Sequence, residues 1–154
     1  MSLTLIVPSF ENSGQIPERF SRDGGNVSPA LEWRDAPPGT QSYALVVEDS
    51  DVPKRSFSHW AVYNIPPETH RLPEGAGSAR RRGTVHMATN DFGHPRYDGP
   101  QPPRGDGLHH YHFELFALDV SDLGIHPSAG AREVIAAARR HAIGFAEAVG
   151  TFER

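Results

Sequence analysis

Short runs of alternating apolar and polar residues, separated by glycine and proline, dominate the chain up to Val120. Such runs predict β-strands, because successive side chains of a strand point to opposite faces of a sheet. The clearest run covers residues 111–120, and four others predict strands at residues 4–7, 42–48, 57–65 and 84–88. Several short strands with turn signals between them favour a sandwich or a barrel.

The pattern changes after Ser128, where alanine becomes frequent and glycine rare. Apolar residues then recur at steps of three and four, which predicts a helix with one apolar face; they are Val134, Ile135, Ala138, Ala142 and Phe145. We place this helix near residues 129–148, with Ser128 as its N-cap and Gly150 as its stop. The apolar face of this helix needs a sheet to pack against.

Residues 90–107 are too rich in proline and glycine for a regular element. A loop of that length inside a compact domain is usually functional or disordered. The chain of 154 residues fits one domain. We therefore predict a single mainly β domain, residues 1–154, with a C-terminal helix.

Composition narrows the classes of function. The chain has no cysteine, which excludes disulfides, thiolate metal sites and a cysteine nucleophile. Its net charge of −4 gives no argument for nucleic-acid binding, and the basic run Arg80 to Arg82 is interpreted as a solvated loop. No apolar stretch approaches the ~18 residues of a membrane span, and residues 1–7 lack the basic region and the cleavage site typical of a signal peptide. These features predict a cytoplasmic protein.

Acidic residues follow the strand at residues 42–48, and a histidine opens the next one. Alternation along the chain predicts Asp49 and Asp51 on one side, where two carboxylates are costly unless something binds them. Taken alone, both are also ordinary turn formers. His59 precedes Trp60, and a histidine in that position is often a packed core residue.

A second histidine group opens the strand at residues 111–120. Alternation predicts His109 and Tyr111 on one face and His110 and His112 on the other. His110 and His112, together with Glu114, could bind a divalent metal ion by accident. We prefer the interpretation that they form a solvated face. Together the inner residues and the two aspartates suit a pocket for a phosphate ester, because imidazolium and tyrosine hydroxyl groups donate to anionic oxygens.

Several motifs together resemble the phosphatidylethanolamine-binding protein family, in its bacterial Raf kinase inhibitor-like branch. The acidic turn from Asp49 to Pro53 followed by His59 and Trp60 is similar to one signature, and Pro102 and Pro103 followed by residues 107–111 to another. Residues 26–33, 90–93, 97–100 and 149–152 continue the likeness. It covers nearly the whole chain, in order.

The resemblance implies a sandwich of two antiparallel sheets with a C-terminal helix. It also implies a pocket for a phosphorylated ligand or a lipid headgroup, whose residues are carried over position by position: Asp49, Asp51, His59, Pro102, His109 and Tyr111. A kinase or protease partner and a homodimer are further implications. Three residues depart from the family pattern: Ser50 stands where proline is usual, Gln101 where cysteine is frequent, and His110 where arginine is usual.

Three functions remain open at this point. The first is a binding protein for a phosphoryl or phospholipid-headgroup ligand, without enzymatic activity, cofactor or bound metal. The second is a hydrolase or lyase with His59 and His109 as acid and base and Asp49 orienting them. The third is a metal-dependent enzyme that uses the same residues as ligands. The motifs that mark serine hydrolases, zinc proteases and nucleotide-binding proteins are absent, which favours the first.

Overall fold

The structure, a computed structural model, describes residues 2–53, 55–78 and 86–154. Its strands are β1 Thr4–Ile6, β2 Gly14–Gln15, β3 Leu31–Arg34, β4 Ser42–Asp49, β5 Phe57–Ile65, β6 Arg71–Leu72, β7 His86–Met87, β8 His109–Leu118 and β9 Ala142–Phe152. A 3-10 turn covers Glu18–Phe20, and helix α1 covers Ala131–His141. The arginine run at residues 80–82 and the start of the strand predicted at 84–88 lie outside the described residues.

The strands form two sheets. The larger has the order β2-β9-β8-β4-β5-β7 and the smaller the order β1-β3-β6. Neighbouring strands are antiparallel except for β2 and β9, which run parallel with Gly14 beside Gly150. The predicted fold class, mainly β with two sheets and one helix, is confirmed.

The large sheet is covered on both faces. On one face Leu45, Trp60 and Phe113 pack with Leu5 and Trp33 of the small sheet. The other face packs against α1 through the residues of a second cluster, among them Val46, Tyr63, Phe116, Val134 and Ile135. Because β4 is buried on both sides, it has a continuous apolar run instead of an alternating one.

The predicted helix at residues 129–148 is wrong in its second half. Helix α1 ends at His141, whose carbonyl accepts a hydrogen bond from the Asp119 N–H at 3.0 Å, and β9 begins at the next residue. Strand β9 pairs with β8 along its length, so that Ala148 lies opposite Phe113. Pairing with β8 overrides the helix propensity of alanine, which is only a weak preference.

The helix also begins two residues later than its predicted cap allows. Gly130 is the N-cap, and its N–H lies 3.5 Å from the Glu133 carboxylate. The Ser128 hydroxyl instead bonds to His126 at 2.7 Å. At eleven residues, α1 is too short to cross a bilayer, and no other described helix is long and apolar enough to do so.

Candidate functional site

Three adjacent strands bring polar side chains together at one end of the large sheet. Asp49 closes β4 and lies opposite Phe57 of β5 on one side and Tyr111 of β8 on the other. His109 lies two residues before Tyr111 on the same face, and its Nδ1 is 2.6 Å from Asp49 Oδ2. Asp49, His109 and Tyr111 are all buried.

A β-bulge turns His59 toward this group. Val47 pairs with Trp60 and Glu48 with Ser58, so that His59 is an extra residue in β5. A bulge disturbs the alternation of a strand and redirects a side chain. The His59 ring consequently contacts Tyr111 edge-on, with ring centroids 5.2 Å apart. Regular alternation would have put the imidazole on the opposite face from Trp60.

These side chains enclose a cavity of about 220 Å³. Its lining residues are Asp49, Val52, Phe57, His59, Phe92, Gln101, Pro102, Pro103, His109 and Tyr111. Five of the six residues expected at the site therefore lie around one cavity. Phe57 and Phe92, which the sequence did not mark as site residues, form its aromatic wall.

Asp51, the sixth expected residue, lies outside the cavity and faces the other way. Its Oδ2 accepts from the His110 N–H at 2.6 Å and bonds to His110 Nδ1 at 2.8 Å. Strand β4 ends at Asp49, so the alternation used to place Asp51 does not extend to it. Partial burial would raise the pKa of Asp51, but the bonds from His110 outweigh it and hold the pKa below its usual value.

His109 is held between two carboxylates. Asp49 contacts Nδ1 and Asp106 contacts Nε2, both at 2.6 Å. A carboxylate that accepts at each nitrogen requires a proton on both, so the ring is an imidazolium. Burial opposes this charge, but the hydrogen bonds that His109 donates to the two carboxylates raise its pKa above the usual value.

His59, unlike His109, is neutral. Its Nδ1 lies 2.7 Å from the Asp98 carbonyl oxygen, which can only accept, so Nδ1 carries the proton. Burial lowers the pKa of His59, although the Asp98 carbonyl and the Asp49 charge act against it. The ring is therefore neutral, and its Nε2 carries a lone pair. The two imidazoles of the site thus differ in charge.

Asp98 positions the loop that carries this carbonyl. Its fully buried carboxylate accepts from Asn90, Asn26 and His94 at 2.8, 3.1 and 2.8 Å, and from Arg96 at 3.2 Å. Burial would raise the pKa of Asp98, but these donors together lower it well below the ordinary value. The family-like segments at residues 26–33, 90–93 and 97–100 meet in this network, which orders the long loop predicted at residues 90–107.

Tyr111 contributes a hydroxyl group that makes no well-formed hydrogen bond to the described residues, although the neighbouring Asp49 carboxylate acts on it as a weak acceptor. The side chain is 1% exposed and lines the cavity. Burial, helped by the negative charge of Asp49, raises the pKa of this hydroxyl. It stays protonated at physiological pH and can donate one hydrogen bond.

Gln101 joins the cavity rim to a neighbouring loop. Its side chain accepts from Arg22 and donates to Asp23, each at 3.0 Å. The Arg22 guanidinium also lies over the Phe92 ring, 4.2 Å from its centroid. Gln101, one of the three departures from the family pattern, therefore holds the Arg22 guanidinium close to the cavity rim.

A second cavity, of about 530 Å³, lies on the other face of the large sheet beside α1. Glu48, Glu114 and Glu147 form its floor, and Arg132 and Arg139 stand along its helical side. Burial, a hydrogen bond with Glu48 and the charges of Glu48 and Glu147 raise the pKa of Glu114 to about 9. Glu114 is therefore largely protonated at neutral pH.

The outer histidines of β8 have partners in the protein. His110 bonds to Asp51, and His112 lies between Glu147 at 2.9 Å and the Ser50 hydroxyl at 2.9 Å. Throughout the part of the chain that the structure describes, no group of three or more histidine, aspartate or glutamate side chains is arranged to hold a metal ion.

The sequence matches the family model described as phosphatidylethanolamine-binding protein over residues 7–153. The chain belongs to the phosphatidylethanolamine-binding protein family. Membership of this family supports a role as a binding protein. The resemblance read from the acidic turn, the His-Trp pair and the proline-rich loop is thereby confirmed.

Curated relatives match over most of their length. The UPF0098 protein of Aquifex aeolicus is 38% identical over 146 residues, which covers 95% of this chain and 85% of that protein. A relative from Mycobacterium tuberculosis, named as a candidate lipoprotein, LppC, is 38% identical over 151 residues, covering 98% and 72% of the two chains. A cytoplasmic location for this chain remains a prediction from its sequence.

Two solved structures share the fold. Escherichia coli YbcL, described as a new member of the mammalian family, superposes with a TM-score of 0.95 at 29% identity over 100% of this chain and 99% of its own. The Chlamydia trachomatis homologue CT736 superposes with a TM-score of 0.87 at 32% identity, over 99% and 98% of the two chains.

Proposed function

We propose that this chain binds a phosphoryl group, of a small phosphorylated ligand or of a phospholipid headgroup, in the cavity beside Asp49, His59, His109 and Tyr111. The observation that carries the proposal is the buried hydroxyl of Tyr111, which makes no well-formed hydrogen bond to the described residues and has only the neighbouring Asp49 carboxylate as a weak acceptor. A buried donor without a well-placed acceptor is costly, and an anionic ligand oxygen would satisfy it.

The other groups at the cavity suit the same ligand. His109 supplies a positive charge, and the neutral His59 supplies an acceptor at Nε2. A singly protonated phosphate monoester has acceptor oxygens and one O–H, so it can bond to both kinds of partner. The phosphodiester of a lipid headgroup has no O–H, so its phosphate bonds to the donors alone.

The size of the cavity limits the ligand. Its volume of about 220 Å³ is below the roughly 300–1,000 Å³ of pockets that enclose drug-sized molecules. A headgroup fits, whereas the acyl chains of a phospholipid would remain outside. Binding at the headgroup alone suits either a soluble phosphate ester or a lipid presented at a surface.

The arrangement supports binding over acid–base catalysis. Both nitrogens of His109 are engaged by carboxylates, which leaves no lone pair for a general base. His59 keeps a basic nitrogen, but His109 has no proton free to act as its acid partner while both carboxylates are in place. From this and from membership of the family we propose a protein without enzymatic activity. The family resemblance extends this proposal to a kinase or protease partner, and to a homodimer.

Isothermal titration with inorganic phosphate, phosphoethanolamine and ethanolamine tests the proposal. We expect the first two to bind and ethanolamine to fail, because only the phosphoryl group reaches Tyr111. Tyr111→Phe removes one hydrogen bond to a charged group, worth about 1.5–3 kcal/mol, so affinity should fall by at least about tenfold.

The matched control is Tyr97→Phe. The Tyr97 hydroxyl is also buried but donates to the Phe20 carbonyl at 2.8 Å, away from the cavity. Its loss should lower stability and leave the affinity unchanged. The proposal fails if the wild-type protein binds neither phosphate compound at millimolar concentration, or if Tyr111→Phe binds both as well as the wild type does.

A further inference from the structure

The two carboxylates on His109 are held very differently. Asp49 is 3% exposed at the end of β4 and cannot leave without disturbing the sheet. The Asp106 side chain is 51% exposed and belongs to the loop before β8. Both contact the imidazolium at the same distance of 2.6 Å. One contact is part of the core, and the other is made by a surface loop.

The loop that carries Asp106 has few other attachments. Gly105 and Gly107 flank the residue at φ values of 78° and 83°, and a Cβ at either position would meet nothing within 4 Å. Glycine adopts this left-handed backbone without steric cost. The Asp106 N–H donates to the Pro103 carbonyl at 3.1 Å, and the Gly105 N–H to the Arg154 carbonyl at 3.4 Å. Movement of the segment would therefore have to break two backbone hydrogen bonds, and the side of each glycine where a Cβ would stand is open space.

Charge at the cavity makes the Asp106 contact consequential. Asp49 and Asp106 are two negative charges against the single positive charge of His109, and His59 is neutral. Counting His109 and the two carboxylates that contact it, an anion that enters while Asp106 is in place meets one net negative charge. If Asp106 moves away, the charges balance and His109 Nε2–H becomes a free donor beside Tyr111.

The geometry points to Asp106 as an internal anion that occupies, on His109 Nε2, the position which the oxyanion of a ligand takes. Binding then exchanges the Asp106 carboxylate for a ligand oxygen and releases residues 103–107 from the imidazolium. This inference rests on the proposed function. It makes Asp106 a residue that sets affinity and selects for ligands acidic enough to replace a carboxylate.

Titration of Asp106→Ala with inorganic phosphate and phosphoethanolamine tests the exchange. The expected result is tighter binding of both, by about three- to tenfold, the range of a half-exposed charge-assisted contact. Asp106→Asn, which keeps the shape of the side chain, should fall between wild type and Asp106→Ala. If Asp106→Ala folds poorly, the affinity of Asp106→Asn tests the inference instead.

The matched control is Asp119→Ala, because Asp119 also pairs with a histidine, His141, and its side chain is 52% exposed. It removes the same charge at the far end of β8, so phosphate affinity should not change. A gain in affinity equal to that of Asp106→Ala would assign the effect to net charge and overturn the inference.

Nuclear magnetic resonance relaxation supplies a second readout. With wild-type protein, saturating phosphate should increase the fast motion of the Gly105 and Gly107 amides, since Asp106 has left His109. Unchanged relaxation, or weaker phosphoethanolamine binding in Asp106→Ala, would show that Asp106 stays in place or contacts the ligand, and the inference would be lost while the proposed function stands. If neither wild type nor variant binds phosphate, both fall.

Discussion

Glu114→Gln should stabilise the protein at alkaline pH. Glu114 lies directly opposite Glu147 on β9, and the carboxyl group of Glu48 is close enough to raise its pKa. Like charges placed opposite each other on paired strands are destabilising. Glutamine keeps the size and shape of the side chain, carries no charge, and can donate its amide N–H to Glu48 at every pH.

The sign and the size of the change in stability follow from the proton that the Glu114 carboxyl group binds. Burial and the neighbouring carboxylates raise the pKa of Glu114 from 4.5 to about 9, so the stability that its proton contributes is present below the unfolded value and is lost as pH rises toward 9. A tenfold change in proton affinity corresponds to about 1.4 kcal/mol. Because solvent reaches this cluster, we discount the full shift strongly and expect a gain of about 1–2 kcal/mol at pH 8.

Thermal unfolding of wild type and variant at pH 5, 6, 7, 8 and 9 measures the difference. For a domain of this size the gain corresponds to a rise of about 2–8 °C in Tm, smallest at pH 5 and growing toward pH 9. Glu68→Gln, in the exposed turn after β5, is the control and should follow wild type throughout. A Glu114→Gln protein that is less stable at pH 8, or whose advantage does not change with pH, would refute the reasoning.

Two further predictions concern the core and the charge of the site. Trp60 is fully buried and donates Nε1–H to the Met87 sulfur at 3.4 Å, so Trp60→Ala should cost about 3–5 kcal/mol in urea unfolding; a loss below about 1 kcal/mol would contradict its place in the core. Affinity for glycerophosphoethanolamine, a phosphodiester that does not titrate near neutrality, should decline only as pH rises through the elevated pKa of His109. The free imidazole value is ~6.5, and a decline centred there, or a flat profile to pH 9, would argue against an imidazolium at the site.

The long strands β4, β5 and β8 were predictable because their signal is local, whereas the short strands β2, β3 and β6 were not predicted. The run at residues 57–65 became β5 with the same bounds, and the run at 111–120 became β8, two residues earlier. Strand β9 was missed for a physical reason. Its core-facing positions before Phe152 are Ala146, Ala148 and Gly150, and such small residues give almost no alternation of hydrophobicity. They are small because space is short there: a Cβ on Gly150 would lie 2.5 Å from the Ile16 side chain.

The candidate site was predictable as far as motif and regular alternation reach. Asp49, His109 and Tyr111 follow strand geometry, whereas His59 reaches the same cavity only through a bulge. A bulge depends on the partner strand, which one segment of sequence does not specify. Asp106 was missed because its role depends on the path of a loop.

The hydrogen-bond network around Asp98 could not be predicted from the sequence. Its donors come from residues 26, 90, 94 and 96, and the carboxylate itself resembles any loop aspartate. Only the family-like segments around it indicated that the region mattered. Contacts of this kind become visible once distant loops are brought together.

The parallel pairing of β2 with β9 has a consequence for the time course of folding. Gly14 and Gln15 find their partners at Gly150 and Thr151, so this ladder joins segments from opposite ends of the sequence. Contacts between such distant segments lose the entropy of closing a long loop before any hydrogen bond forms. Domains rich in such contacts fold in milliseconds to seconds. Strand β9 also separates β2 from β8. A nascent chain that has not yet produced residue 152 therefore exposes one edge of β8, and it depends on a late docking event to complete its main sheet.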